Sequence, residues 1–227
     1  MEHNYQIEHI DRALPKCLEC YLFVNPIGHR CHQTEQTLLN ILQYLPVKTD
    51  IHILCFHNQK NVSAFMQHLQ MDVNNLAERN RIFQTIYKAA LAYKAASLQG
   101  KRKGRDFLMR MQTDINSDIS RFSTEYVLTL AEQIGLDVAA FRSDWQSDYV
   151  RQLYLKDQKI AADMGATCTP ALVMFEHSID GDGIMVADTI TEEVITEQLN
   201  LMMEACSRTR LNHQQCLAIV KPLFTKP

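Results

Sequence analysis

Residues 21–31, Tyr-Leu-Phe-Val-Asn-Pro-Ile-Gly-His-Arg-Cys, decide the fold of this chain. The apolar run that ends at Pro26 predicts a buried strand, and the residues after it predict a tight turn and the start of a helix. Cys31 falls in the first turn of that helix, where the helix dipole favours a thiolate. Three positions earlier the chain has Gly28, which has no side chain. Disulfide exchange needs a thiol that attacks and a second that resolves, and this turn offers Cys31 alone, so we do not expect disulfide exchange here.

The segments on either side of this turn predict a βαβ unit. The first strand covers 20–25 and is apolar throughout, which favours a buried central position over an edge. Leucine and isoleucine residues at helical spacing predict a helix over about 32–45, and 50–56 predicts a second strand. A helix between two strands at this spacing makes the strands parallel neighbours.

The middle of the chain has a helical pattern almost throughout. The predicted helices cover 82–98, 105–116, a segment from the N-cap Ser123 to Gly135, a short segment capped by Asp137, and about 148–164. Between the first two lies a basic cluster, defined as Lys101, Arg102, Lys103 and Arg105, next to Gly100 and Gly104. We interpret this basic cluster as a solvated loop between helices, with a partner-docking patch as the alternative.

The last part of the chain predicts a hairpin and a helix. A strand at 171–175 follows Thr169-Pro170, and after it come a turn at 178–183, a strand at 183–187 and a helix at 191–206. The order β-α-β, helical block, β-β-α describes an α/β protein of thioredoxin-like fold. We expect a discontinuous domain (15–60 and 150–206), a helical insertion (61–149) packed on the sheet, and a C-terminal tail (207–227).

Composition narrows the class of protein. With 227 residues, 46% of them hydrophobic, the chain can bury a full core. The net charge of −3 argues against a nucleic-acid partner. No apolar run approaches the roughly 20 residues that span a bilayer, and the N-terminus lacks the pattern of a signal peptide. We therefore expect a cytoplasmic protein without a membrane partner.

Seven cysteines at irregular spacing do not predict a disulfide framework. Cys55 and Cys206 are interpreted as small core residues, and the sequence identifies no partner for Cys216. Cys17 and Cys20 form the one intact C-x-x-C pair. The pair precedes a strand rather than opening a helix, so we interpret it as two unrelated thiols. A redox pair and partial metal binding are the alternatives.

The turn at 25–31, together with Thr169-Pro170 before a strand, resembles the DsbA branch of the thioredoxin superfamily. The chain is more closely similar to the SpxH (YjbH) group of Gram-positive bacteria. The stretches that carry this resemblance are 21–26, 89–100 with 104 and 107–112, and 157–164 leading to Pro170, and the similarity covers roughly 17–205. The resemblance implies an adapter that binds the transcription regulator Spx and promotes its degradation by the ClpXP protease. Members of the group are not established oxidoreductases, and the resemblance implies no cofactor.

The chain departs from this group in two ways. Other members keep Cys-x-x-Cys where this chain has Gly28 and Cys31. Better-known members also extend further and have a cysteine- and histidine-rich N-terminus, which is reduced here to His3 and His9. The first departure argues against disulfide exchange but not against binding. The second departure leaves two questions open: whether the protein responds to zinc, and whether it makes the partner contacts that the longer members make with their additional residues.

The predicted site is a degenerate redox site without a catalytic residue. Its members are Gly28, His29, Arg30, Cys31, Thr169 and Pro170. Cys31 is either a shielded core thiol or a single thiol that forms mixed disulfides. We predict a cis Thr169–Pro170 peptide bond. The loop that contains it either pairs with an extended peptide as a neighbouring strand or only provides the backbone geometry that folding needs. A Cys31–Cys168 disulfide is a further alternative.

Two other classes of function remain as alternatives. The first is a DsbA-family thiol-disulfide oxidoreductase or isomerase that uses Cys31 or the Cys17/Cys20 pair. The second is a glutathione-dependent enzyme, which would need a side chain at Gly28 to face the cofactor thiol. We predict no metal site, because His29, Cys31 and His32 are too close together along a turn and a helix start to converge on one ion.

Overall fold

The structure is a computed structural model that describes residues 17–115, 118–176 and 183–204. Its strands are β1 (Cys17–Val24), β2 (Lys48–Cys55), β3 (Ala171–Glu176) and β4 (Ile184–Ala187). Its helices are α1 (His29–Leu42), α2 (Gln59–His68), α3 (Leu76–Leu98), α4 (Lys101–Ile115), α5 (Thr124–Gln133), α6 (Val138–Gln146), α7 (Asp148–Asp163) and α8 (192–204), with a 3-10 turn at Ile119–Arg121. The predictions for His3, His9, the turn at 178–182, Cys206, Cys216 and the tail fall outside the described residues.

The sheet has the order β2-β1-β3-β4. β1 runs parallel to β2, with Cys17 opposite Lys48 and Val24 opposite Cys55. β3 is antiparallel to β1 and to β4. The predicted βαβ unit, the central position of the first strand and the later hairpin are confirmed. One face of β1 is buried along most of its length and both faces are buried at 22–24, which is typical of a central strand covered on both sides.

Helices cover both faces of the sheet. Leu22 of β1 belongs to the larger core, together with apolar residues of α1, α8 and the helical block. Phe23 points to the opposite face, where it joins a smaller core with Ala161 of α7. The helical block packs on the sheet as expected, since the Tyr93 hydroxyl of α3 donates to the Ile53 carbonyl of β2 at 3.0 Å.

Side-chain caps set the helix boundaries of the middle block. Ser123 and Asp137 accept hydrogen bonds from the amides of Tyr126 and Ala140, so both predicted N-caps are confirmed. α3 begins at Leu76 rather than at residue 82, because the Asn75 side chain caps it there. Its first turns are exposed and polar, so apolar periodicity could not show them.

The basic cluster is not a loop, and this prediction was wrong. Lys101–Ile115 is a helix, so the four basic residues occupy the first turns of α4. Gly100 makes the sharp connection from α3 with a φ of +127°, a conformation that glycine adopts easily. Gly104 serves close packing instead of a turn, because a Cβ there would lie 2.8 Å from Cα of Ser97. Two glycines beside lysine and arginine therefore marked a tight helix–helix corner.

Among the described helices, none combines the length and apolar character needed to span a bilayer.

Candidate functional site

The turn between β1 and α1 is held by Asn25. Its carbonyl accepts from the Gly28 amide at 3.0 Å, and its side-chain Oδ1 accepts from the Ile27 amide at 3.1 Å. Gly28 is the N-cap of α1 and gives the helix no side-chain cap. The turn is therefore built by backbone and asparagine contacts, without help from the residue that would carry a thiol.

Cys31 lies in the first turn of α1 as predicted, but its thiol is shielded. The residue is only 2% exposed, and Sγ accepts from the Asn25 amide at 3.2 Å. Burial raises the pKa of Cys31 to about 12, and it outweighs the Asn25 and Thr169 hydrogen bonds, which lower it. A thiol in this state is protonated at neutral pH and out of contact with solvent, which suits a core residue and not an attacking nucleophile.

Glycine at position 28 is not demanded by the backbone. Its φ of −92° and ψ of 124° suit any residue. A Cβ there would lie 3.1 Å from Cβ of Asn25, a tight contact that a small shift of the asparagine relieves. The missing sulfur is therefore a difference in chemistry and not a consequence of backbone shape.

The loop before β3 lies against this turn. The Thr169–Pro170 peptide bond is cis, as predicted, and the Thr169 side chain hydrogen-bonds the Cys31 thiol. Cys31 and Cys168 are both free thiols, so the alternative of a disulfide between them is not observed. The Cys168 side chain forms a hydrogen bond with Asp188 instead. Arg30 donates a hydrogen bond to the Asp188 carbonyl, which ties α1 to the residue after β4.

These elements enclose a groove of about 180 Å³, called the cis-proline groove below. Its far wall is α2, and it is lined there by Lys60, Asn61, Ala64, Phe65 and His68. Sequence reasoning missed this wall, because only the tertiary fold brings α2 opposite the cis-proline loop. The groove combines one aromatic side chain with several positive or polar groups and has no exposed thiolate among its described residues. Such a groove is suited to bind a chain segment without reacting with it.

The two cysteines of the C-x-x-C pair, Cys17 and Cys20, both lie in β1. β1 begins at Cys17, three residues earlier than predicted, so both cysteines lie within the strand. Residues three apart on a strand point to opposite faces of the sheet. Burial raises the pKa of Cys20 to about 12. The two thiols therefore belong to different environments, which agrees with the interpretation as unrelated residues.

A buried polar cluster lies under the turn. Nε2 of Gln112 in α4 donates to Glu35 of α1 at 2.7 Å and to the Asn25 carbonyl at 3.3 Å. Burial raises the pKa of Glu35 to about 8, although the Gln112 bond and the charge of Arg105 lower it. Sequence reasoning missed Glu35. The available signal was its position four residues after Cys31 and three before Leu38, on the buried face of the helix.

The described residues contain one group of metal-type ligands, at the other end of the sheet from the cis-proline groove. It consists of Glu19, Asp50 and His52. Nε2 of His52 lies 3.0 Å from Glu19 and 3.4 Å from Asp50, and its ring stacks on Tyr21. The contacts of His52 with the two carboxylates and its stacking on Tyr21 hold these side chains together.

A family model described as thioredoxin matches residues 21–197. The ClpXP adapter protein SpxH of Bacillus subtilis is 28% identical over 89% of this chain and 73% of its own length. Proteins of the same name from other Bacillus species and from Staphylococcus epidermidis match at 25–27% identity. The resemblance to the SpxH group is thereby confirmed.

Solved structures show the same fold. A putative protein disulfide isomerase from Nitrosomonas europaea aligns with a TM-score of 0.61 and 15% identity, covering 83% of this chain and 98% of its own. DsbA from Xylella fastidiosa aligns with a TM-score of 0.56 and 13% identity, covering 86% and 88% of the two chains. The thioredoxin-like, DsbA-type fold predicted from the sequence is confirmed.

Proposed function

We propose that this chain, which belongs to the thioredoxin family, is an adapter that binds an Spx-type transcription regulator and promotes its degradation by the ClpXP protease. The relatives named ClpXP adapter protein SpxH support this proposal, since they match most of the chain. The mechanism is tethering, which raises the concentration of the regulator near the protease without any bond being made or broken. We propose the cytoplasm as the location, since the described cysteines are all free thiols.

The observation that carries the proposal is the lack of an exposed thiol at the turn between β1 and α1. Cys31 is 2% exposed, and the position that would attack a disulfide is Gly28. The scaffold is kept while its reacting sulfur is absent, which leaves recognition as its use. The oxidoreductase alternative depends on Cys31 or on Cys17 and Cys20. Burial outweighs the hydrogen bonds that favour a Cys31 thiolate, and it also raises the pKa of Cys20.

We propose that the regulator binds in the cis-proline groove. An extended segment there could pair with backbone groups of the loop at Thr169 and rest against Phe65 of α2. No cofactor is needed for this role. The division into a discontinuous domain (15–60 and 150–206), an insertion (61–149) and a tail (207–227) is part of the same proposal, with the groove between the domain and the first helix of the insertion.

The test is a degradation assay with purified ClpXP and an Spx-type regulator, with and without this protein. We expect faster loss of the regulator when the protein is present. Cys31→Ser should keep the full effect, because the thiol takes no part in binding. An insulin-reduction assay on the same preparations should show no turnover above background.

Matched variants of α2 locate the binding surface. Ala64→Trp fills the cis-proline groove from an exposed position, whereas Gln67→Trp places the same indole side chain on the same helix outside the groove. We expect the first to abolish the acceleration and the second to preserve it. If both tryptophan variants changed the degradation rate equally, the cis-proline groove would not be the binding surface. If the unmodified protein did not accelerate degradation, the adapter function itself would be rejected.

A further inference from the structure

One long edge of the sheet is formed by β2. In the part of the chain that the structure describes, β2 pairs only with β1. Beyond that pairing, the Cys55 amide donates to Asp157 at 3.1 Å, and the Cys55 carbonyl accepts from Gln158 at 2.7 Å. The Ile53 carbonyl accepts from Tyr93. Odd-numbered residues of β2 therefore direct their backbone groups away from β1, and side chains of α3 and α7 close the end of this edge.

Nearer the start of β2, around Ile51 and Ile53, no further strand pairs with this edge in the part of the chain that the structure describes. The Ile51 amide is bonded to the Asp50 carboxylate. The Ile51 carbonyl and the Ile53 amide have the same outward direction, and within 17–115, 118–176 and 183–204 no further group is bonded to them. These two groups flank His52. A residue of an extended peptide opposite His52 can donate to the first and accept from the second, as in an added strand.

A positively charged groove of about 350 Å³ runs beside this edge. Three basic side chains of α3 and α4 line it: Lys94, Lys101 and Arg105. Lys94 is already paired with Asp157 at 2.5 Å, and Lys101 makes an exposed contact of 3.3 Å with Asp50. Arg105 is half-buried and has no ion-pair partner among the described residues. The Arg105 guanidinium therefore lies beside this strand edge without a direct ion pair, and its charge acts on the buried Glu35 carboxyl group.

The four side chains of the basic cluster do not all lie on the same side of α4. Lys103 donates to the Gly135 carbonyl at 2.7 Å, on the side of α5, and Arg102 is almost fully exposed and lies 4.0 Å from Asp106. Only Lys101 and Arg105 face the groove. This division follows from the helical geometry of α4, since residues four apart share a face.

We propose that the β2 edge binds an acidic, extended segment of a partner protein as an additional strand. Backbone pairing on either side of His52 would hold the segment, and its carboxylates would approach Lys101 and Arg105. Charge selects this occupant, because the chain as a whole carries −3 while three basic side chains and a single carboxylate, that of Asp50, line this groove. The surface is separate from the cis-proline groove, so the proposal does not depend on the adapter function.

A peptide-binding experiment on the full chain tests the charge requirement. The probe is a fluorescent peptide of alternating glutamate and valine, titrated at low ionic strength. We expect the combined variant Lys101→Gln and Arg105→Gln to weaken binding about tenfold or more. The control variant combines Arg142→Gln and Lys159→Gln, two exposed positions outside this groove, and removes the same charge. Equal losses in the two variants, or no binding by the unmodified protein, would overturn the proposal.

A second measurement tests the backbone requirement. The same peptide, N-methylated at every second residue, cannot donate along one edge, and we expect it to lose binding. Hydrogen exchange of the Ile53 amide should slow when the unmodified peptide is added. Retained binding of the methylated peptide would mean electrostatic contact without strand addition. An Ile53 amide as protected in the free protein as the β1-paired amides of β2 would mean that the edge is already occupied, by this chain or a second copy. Either result would reject the proposal.

Discussion

Replacing Glu35 with glutamine should stabilise the protein, and the gain should grow with pH. The carboxyl group is completely buried between α1 and α4, and one of its oxygens, Oε2, has no hydrogen-bond partner among the described residues. Burial raises its pKa from 4.5 to about 8. The unfolded chain therefore releases the proton of Glu35 above pH 4.5, while the folded protein keeps it until about pH 8. Folding must retain a proton that the unfolded state gives up, so stability falls as pH rises through this window.

The size of the effect follows from the two pKa values. Each unit of difference corresponds to about 1.4 kcal/mol, so the cost of Glu35 is about 1 kcal/mol at pH 5 and about 4 kcal/mol at pH 8. Glutamine has nearly the same shape and can still accept from Gln112, but it has no proton to lose. We therefore expect the free-energy difference between Glu35→Gln and the unmodified protein to increase by about 3 kcal/mol over this range.

Urea denaturation at several pH values between 5 and 8 measures this difference. His57 acts in the opposite sense, because burial lowers its pKa to about 4 and stability is lost as pH falls from 6.5 toward 4. His57 is present in both proteins, so its contribution cancels in the comparison. Glu132→Gln, at an exposed position on α5, is the control and should show no trend. A difference for Glu35→Gln that stays constant from pH 5 to pH 8 would refute the assignment of a neutral, buried Glu35.

Three further predictions concern the redox turn and the core. Gly28→Cys should allow a reversible disulfide with Cys31 and measurable insulin reduction, since the backbone at 28 accepts a side chain; an inactive variant that folds normally would contradict this. Iodoacetamide at neutral pH should leave Cys31 unmodified in the native protein and should label it after unfolding, as measured by peptide mass spectrometry. Labelling of Cys31 in the native protein would show that its thiol is not shielded. Lys94→Met should cost about 3–5 kcal/mol in thermal denaturation because Asp157 is left buried without its partner. The combined Lys94→Met and Asp157→Asn variant should regain part of this loss, and a variant as unstable as Lys94→Met alone would argue against the ion pair as the cause.

Local pattern was sufficient for the architecture. An apolar run closed by Pro26, a helical spacing of leucines and a second strand define a βαβ unit without reference to the rest of the chain. The N-caps Ser123 and Asp137 act on amides three residues away, so they too are visible in sequence. The absence of a thiol at Gly28 is likewise read directly from the sequence, and the prediction of binding instead of disulfide exchange depends on it.

The properties of the site were decided by contacts between distant segments. The helix start at Cys31 favours a thiolate, yet the fold buries the thiol and the cost of desolvation prevails. Glu35 stays neutral because α4 covers its carboxyl group, and the cost of desolvation outweighs the hydrogen bond from Gln112, 77 residues away. The groove that joins the β2 edge to Arg105 likewise exists only after α3 and α4 have packed. Strands and helices arise from neighbours along the chain, whereas charge states and open surfaces depend on which segments exclude water from one another.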